Sequence, residues 1–386
     1  MRILHVVPSY LPAVRYGGPI FAVHGLCRAL AARGHYVEVF TTNVDGANNS
    51  AVPLKIPVML DGVHVKYFPC SILRRLYWSP PLARALRTDL TGFAVVHLHS
   101  VFLWPTWAAA RMARKVRTPY LISPRGMLVK KLIEMKSKIT KAAWIKLIER
   151  KNMERASAIH VTSPVEAEEL QRFGWHLPPI RVIPNGIDEV AVASSEKVSM
   201  DVKEIAAEQP LVLFLGRISW KKGLDRLLNA FAVTKLGKLA VVGPDDENLV
   251  PRLAQLACDL RITNRIRFLP RTVLGRDKSF LYRHAKVFVL PSYSENFGNS
   301  VLEGMQHGIP VVVTPEVGAA EIVRQSGGGF VVAGDPEPLG AAIRRLIEDA
   351  SLGREMGEAG QQHANAHYAW SAIAGQMEEL YESLKP

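Results

Sequence analysis

The sequence predicts an α/β protein made of two parallel-sheet domains that face one another. Three observations carry this. At 386 residues the chain exceeds the size at which one hydrophobic core keeps growing, so two domains are expected. Short runs of branched and aromatic residues alternate with helical stretches along its whole length. Turn residues stand at the carboxyl ends of those runs, where open α/β sheets bind their ligands.

The first series opens with a buried-strand pattern over 3–7, a turn at Pro8 and Pro12, and the pair Gly17-Gly18 before a helix over 20–33. Residues 37–40 make the next strand. The loop between lacks the GxGxxG pattern, which disfavours a dehydrogenase. Its double glycine reads as backbone passing close to a ligand, or as a flexible loop. Strands follow at 63–68, 94–99 and 120–123, with a helix over 76–90 interrupted at Pro80 and Pro81. His99 ends one strand, where it could hydrogen-bond a substrate or serve structure alone. Arg125 follows another. Residues 128–157 contain neither Pro nor Gly and predict a long helix carrying Lys130, Lys131, Lys138 and Lys141 among Leu132, Ile139 and Trp144. Such a basic amphipathic helix reads either as an interfacial membrane segment or as a solvated face over a packed helix. A strand over 159–162 and a helix over 165–173 lead to Pro184-Asn185-Gly186, and the polar stretch 191–208 reads as a linker.

The second series starts with a strand over 211–215. Its βα loop, Gly216 to Gly223, holds Arg217 and Lys222, cations placed to neutralise a diphosphate. Strands over 239–242, 266–269, 287–290 and 311–313 follow, with Arg271 and Thr272 after the second of these. The most informative stretch is Glu295-Asn296-Phe297-Gly298-Asn299-Ser300-Val301-Leu302-Glu303, which runs from a buried strand into a short helix stopped by Gly308 and Pro310. The amino end of that helix suits a phosphate, and Gly298 lets a ligand approach the backbone. Glu295 in the loop and Glu303 inside the helix suit sugar hydroxyls; without a ligand they would be a helix cap and a solvated side chain.

Composition bounds the partners. The net charge of +13 is uneven: residues 1–190 hold 26 Lys and Arg against 12 Asp and Glu, the remainder 22 against 23. The N-terminal half should therefore meet an anionic partner. No nucleic-acid motif accompanies that charge. Cys27, Cys70 and Cys258 are scattered and odd in number, the pattern of packing residues in a reduced compartment. Residues 1–7 are too short for a secretory signal and no run approaches a membrane span, so a cytoplasmic protein is expected. Neither HExxH nor Asp-x-Asp stands beside the proposed diphosphate site, so no metal and no cofactor are expected.

Gly216-Arg217, Lys222-Gly223, and Glu295 with Glu303, in that order after Gly17-Gly18 and Pro184-Asn185-Gly186-Ile187-Asp188, resemble the retaining family-4 glycosyltransferases of GT-B architecture. The likeness covers nearly the whole chain and is densest over 182–323. Ile122 to Met127 with the basic helix further resembles bacterial enzymes of exopolysaccharide and lipopolysaccharide synthesis. The resemblance implies a metal-independent hexosyl transfer from a UDP- or GDP-linked sugar to a glycan or lipid-linked glycan acceptor, by front-side attack. It implies that Arg217 and Lys222 bind the donor diphosphate, Glu295 the donor sugar and Glu303 the ribose. Asn296, Phe297 and Gly298 would hold the sugar through their amides, and Asn299 and Ser300 the phosphates. Gly216, Gly17 and Gly18 would line the phosphate side, His99 would approach the reacting sugar, and Arg271 and Thr272 would meet the base. It also implies Rossmann-like domains over 1–190 and 209–365, the linker 191–208, and a helix over 366–386 that crosses back onto the first domain. The expected location becomes cytoplasmic with peripheral contact to the inner membrane face. Gly318-Ala319, where many relatives carry two glycines, is a departure of little expected consequence. A nucleotide-sugar epimerase, or a binding module without turnover, are the competing readings.

Overall fold

The computed structural model describes residues 1–130, 133, 143–188 and 197–384. They form two compact units, Met1–Gly186 with Trp370–Pro386, and Ile187–Ala369. Lys131, Lys138 and Lys141, and the first part of the expected linker, lie outside the described residues.

In the first unit, β1 (Arg2–Val6), β2 (Tyr36–Thr42), β3 (Pro57–Leu60), β4 (Val63–Phe68), β5 (Val95–His99), β6 (Tyr120–Ser123), β7 (Ala158–Val161) and β8 (Ile180–Val182) form one sheet in the order β8-β7-β6-β5-β1-β2-β4-β3. All pairs are parallel except β3 on β4. The inner strands β5, β6 and β7 are buried at every position, which is why they read as continuous apolar runs rather than alternations. The register sets His5 opposite His97. Edge strand β3 has no sequence counterpart, because Pro57 and Asp61 obscure its alternation.

Pro80 and Pro81 begin the helix Pro80–Asp89 rather than interrupting it, as suits residues without a useful N–H in the first turn. Of the long basic helix, Ile145–Glu149 is wound as a π-helix running into Arg150–Glu154. Trp144 and Ile145 pack on the core. The buried carboxylate of Glu149 accepts from Trp144 Nε1 at 3.0 Å and Phe102 N at 2.9 Å. Trp144 is thus turned inward, against the interfacial reading of that position.

The helix Trp370–Ser383 belongs to the first unit. Trp370 lies in a slot floored by two glycines: a Cβ on Gly25 would meet its ring at 2.3 Å, and one on Gly186 at 2.5 Å. Arg33 and His35 pair with Glu378 farther along the same helix.

In the second unit, β9 (Leu211–Leu215), β10 (Lys238–Val242), β11 (Ile266–Leu269), β12 (Ala285–Leu290), β13 (Val311–Val313) and β14 (Gly329–Val331) form an all-parallel sheet in the order β11-β10-β9-β12-β13-β14. The later part of the expected linker is the helix Met200–Ala207, and it is docked onto this unit. Arg271 donates to both carboxylate oxygens of Asp201 at 2.9 Å and to Ser199 Oγ at 3.0 Å. Cys27 and Cys70 are buried as expected of packing residues, whereas Cys258 is exposed; all three are free thiols. Among the described residues no helix is long and apolar enough to cross a membrane.

Candidate active site

Strands β9, β12 and β13 are neighbours, and the loops leaving their carboxyl ends are stitched together through the backbone. Tyr293 N donates to Lys221 O at 2.7 Å, joining the second loop to the first. Glu295 N donates to Glu316 O at 3.1 Å, Gly318 N to Glu295 O at 2.9 Å and Ala319 N to Phe297 O at 2.7 Å, joining it to the third. Three glycines make this proximity sterically allowed. A Cβ would lie 2.1 Å from Pro291 O at Gly223, 2.0 Å from Gly216 O at Gly243, and 2.0 Å from Asn296 O at Gly318. Ala319, the residue that departs from the double glycine, has its side chain fully buried and donates its N–H as described.

On this platform the expected residues converge. Lys222 Nζ donates to Glu295 Oε2 in a close ion pair whose side chains are both largely buried. The Lys222 ammonium lies 4.0 Å from where a Cβ on Gly216 would stand, so it shares the mouth of β9 with Arg217. Arg217 is exposed. Gly298 has φ of 96° and caps the helix Asn299–Gln306, a conformation that favours glycine. Phe297 turns its ring into the core, so it offers a ligand only backbone. Asn296, Asn299 and Ser300 are half-buried around the same helix start.

Glu303 is neither solvated nor unpaired. It accepts from Lys278 Nζ at 2.8 Å and from Tyr282 Oη at 3.1 Å. Burial, then the neighbouring Glu303 carboxylate, push the Tyr282 hydroxyl well above the ordinary phenol range, so it stays a donor. Lys278 and Tyr282 were not visible as site residues in the sequence; they sit on the helix Gly275–His284, far along the chain from Glu303. The Arg271 side chain is committed to Asp201, Ser199 and Asp277, leaving backbone and the exposed Thr272 for any contact with a base.

The first unit holds a second polar cluster that the sequence disclosed only in part. His5 on β1, His97 and His99 on β5, and His160 on β7 are all buried. Their hydrogen bonds assign every tautomer. Ile183 O can only accept, so His160 Nε2 carries a proton and donates to it at 2.8 Å. His160 Nδ1 then accepts from Ser123 Oγ at 2.7 Å, and Ser123 accepts from His97 Nε2 at 2.7 Å. His97 Nδ1 accepts from Tyr381 Oη at 2.7 Å. In the other branch Arg125, a pure donor, gives to His99 Nδ1 at 3.3 Å, and His99 Nε2 donates to His5 Nδ1 at 2.9 Å. His5 Nε2 is left buried without a partner. Burial, with the Arg125 charge beside it, lowers His5 and His160 to about 3 and holds His99 well below the ordinary imidazole value, and burial followed by the neighbouring imidazoles does the same to His97.

This arrangement corrects the expectation for His99, whose ring is wholly buried with both nitrogens bonded to protein. It stands behind Arg125, which also donates to Asn185 Oδ1 at 2.9 Å. His5, His97 and His99 each offer a nitrogen within 4.8 Å of the others. Both nitrogens of His97 and of His99 are already bonded and a guanidinium faces the set, so the donor pattern is that of a neutral network rather than a metal cage. Elsewhere in this unit, Gly17 has φ of 68°, and a Cβ there would meet nothing within 4 Å; Gly18 begins the helix Gly18–Ala32. Lys130 is exposed.

Residues 17–186 match the family described as glycosyl transferase 4-like domain, and residues 195–363 match glycosyl transferases group 1. The chain is 26% identical over 404 residues to an uncharacterized glycosyltransferase of Methanocaldococcus jannaschii, covering 99% of this chain and 98% of that protein. It is 30% identical over 222 residues to the lipopolysaccharide core biosynthesis glycosyltransferase LpsE of Rhizobium meliloti, covering 57% of this chain and 63% of that one. Among solved structures it resembles Anabaena HepE in complex with UDP-glucose, with TM-score 0.75 and 21% identity over 100% of both chains.

Proposed function

Because the chain belongs to the family-4 glycosyltransferases of GT-B architecture, we propose that it transfers sugar from a nucleotide-sugar donor, with retention and without a metal, onto a lipid-linked glycan at a membrane surface. The observation that carries the catalytic part is the Lys222–Glu295 pair on the stitched loops beside the helix Asn299–Gln306. A UDP- or GDP-linked sugar would place its diphosphate between Lys222, Arg217 and the amino end of that helix, with positive charge fixed where negative charge develops. Lys222 then exchanges one anion for another, and Glu295 is released to accept from the sugar hydroxyls. Glu303, already held by Lys278 and Tyr282, accepts from the ribose, with the backbone at Arg271 and Thr272 meeting the base. Fixed cations and backbone amides supply the electrostatic help that a divalent ion would otherwise give, and no dissociable cofactor is required.

Front-side attack suits this set, since the departing phosphate oxygen can take the acceptor's proton while the cations hold the diphosphate. The first unit receives the acceptor, with Arg125 presented by His99 and Asn185, and Gly17 and Gly18 supplying open backbone. The likeness to LpsE and the basic excess of residues 1–190 support an anionic, lipid-borne glycan as that acceptor. The Lys222→Ala and Glu295→Gln variants test the assignment. Both should keep the wild-type melting curve and lose nucleotide release in the presence of acceptor extract; full turnover by either would refute its role. Thermal stabilisation by UDP against GDP identifies the donor base.

A further inference from the structure

The segment from Gly46 to Trp78 carries a surface that neither sugar nor nucleotide explains. Ile72 and Leu73 are 63% and 58% exposed, and Ile56 and Leu54 are 58% and 39% exposed. Lys55 N donates to Tyr67 O at 2.7 Å, which lays residues 54–56 along the end of β4, and the chain leaves β4 through Pro69, Cys70 and Ser71 into Ile72 and Leu73. The loop is not loosely held. Arg74 donates to Cys70 O and Gly46 O, each at 3.2 Å, and in closer contacts to Asn49 Oδ1 and Asn48 O. That arginine is spent as a bolt from behind. On either side of it, Leu73 and Tyr77 adopt φ of 51° and 57°, the left-handed region that large side chains avoid. A bolted loop that holds Leu73 outward in an unfavourable backbone conformation, with Ile72 exposed beside it, is not explained by packing within the chain.

Charge indicates what covers it. From Asp45 to Asp89 the basic residues are Lys55, Lys66, Arg74, Arg75, Arg84 and Arg87, and the acidic ones are Asp45, Asp61 and Asp89. Lys66 is neutralised by Glu38 and Asp89, but Lys55, Arg75, Arg84 and Arg87 are exposed. Leu76, Tyr77 and Trp78 follow, half-buried. Apolar residues at a tip, arginine beside them and aromatics behind form the composition of a segment seated at the headgroup boundary of an anionic bilayer.

We propose that residues 72–75, with 54–56 beside them, are a docking surface for anionic phospholipid bilayers, inserting Ile56, Ile72 and Leu73 while Arg75 and Lys55 meet the headgroups. This deepens the lipid-linked acceptor reading, yet its test needs no substrate. The full chain is sedimented with vesicles of phosphatidylglycerol and phosphatidylcholine, and with phosphatidylcholine alone. Binding should require phosphatidylglycerol and weaken with salt. The double variant Ile72→Ser with Leu73→Ser should lower partition at least about tenfold, from lost apolar burial. Arg75→Glu should weaken binding in the anionic vesicles, and both variants should keep the wild-type melting temperature and its rise with UDP or GDP. Wild-type protein that ignores vesicles, or a double variant that binds as wild type, overturns the proposal while nucleotide stabilisation still reports on the donor site. Self-association by light scattering that the double variant abolishes also overturns it, in favour of contact between copies.

Discussion

Acid should destabilise this protein before its carboxylates titrate, and the first unit supplies the reason. His5 and His160 are lowered from 6.5 to about 3 by burial and by the nearby Arg125 charge. Both are neutral in the folded state across the range from pH 6.5 down to about 3, whereas the unfolded chain takes up protons as pH falls through 6.5. The unfolded state binds more protons throughout that window, so stability rises with pH there and is lost on acidification. At pH 5 each group lies about 1.5 pH units below its unfolded value, and at about 1.4 kcal/mol per unit the pair costs about 4 kcal/mol. His97 and His99 shift in the same direction and add to this. Against a typical stability of about 5–15 kcal/mol this is a large fraction. For units of this size it corresponds to a fall in Tm of about 8–16 °C between pH 7.5 and 5. Circular dichroism melts at constant ionic strength provide the measurement. A Tm that is level or rises across that interval would show that the imidazoles are not buried neutral, and the assigned network would be wrong.

Other perturbations separate framework from chemistry. Tyr381→Phe removes the donor to His97 Nδ1 and leaves a buried acceptor unmet, so urea denaturation should show a loss of about 1–3 kcal/mol. Gly318→Ala forces a Cβ to within 2.0 Å of Asn296 O; overpacking of about 1–3 kcal/mol is expected, together with a weaker nucleotide-induced rise in Tm because the Glu295 loop must shift. Arg271→Ala breaks a half-exposed pair with Asp201 and a pair with the largely buried Asp277 and should cost about 1 kcal/mol with donor binding retained; lost nucleotide binding in isothermal titration would show that the side chain serves the donor after all. Lys278→Met should raise the KM for donor more than it lowers kcat, since it removes a partner of Glu303 and no group at the diphosphate.

Legibility of the sequence followed its local signals. Strands β9 and β12 could be read because they are buried on both faces, and the loops after them because glycine and proline punctuate them. Lys222 and Glu295 were each recognisable as site candidates in the sequence, but not as a contact; they touch through backbone bonds between loops 73 residues apart, which no local pattern encodes. Glu303 could be singled out from its stretch, but its partners on another helix were hidden for the same reason. The histidine row shows the limit most plainly. His97 and His99 are two apart on one strand, and only the register of β1 on β5 brings His5 to them. The helix Met200–Ala207 was missed because its polar face resembles a linker until Arg271 and Asp277 are known to hold it.

The position of Tyr381 bears on how the molecule is made. Its hydroxyl completes a hydrogen-bond chain begun 284 residues earlier. Trp370 likewise fills a slot between Gly25 and Gly186 that stays empty until its own segment is synthesised. On the ribosome the first unit therefore emerges long before it can be finished, and the second unit has to be translated in the interval. Until then His97 lacks its donor and one flank of the helix Gly18–Ala32 lacks its cover, a state that invites chaperone binding. A nascent chain arrested before residue 370 should thus be protease-sensitive in its earliest-made part and protected in the part made after it.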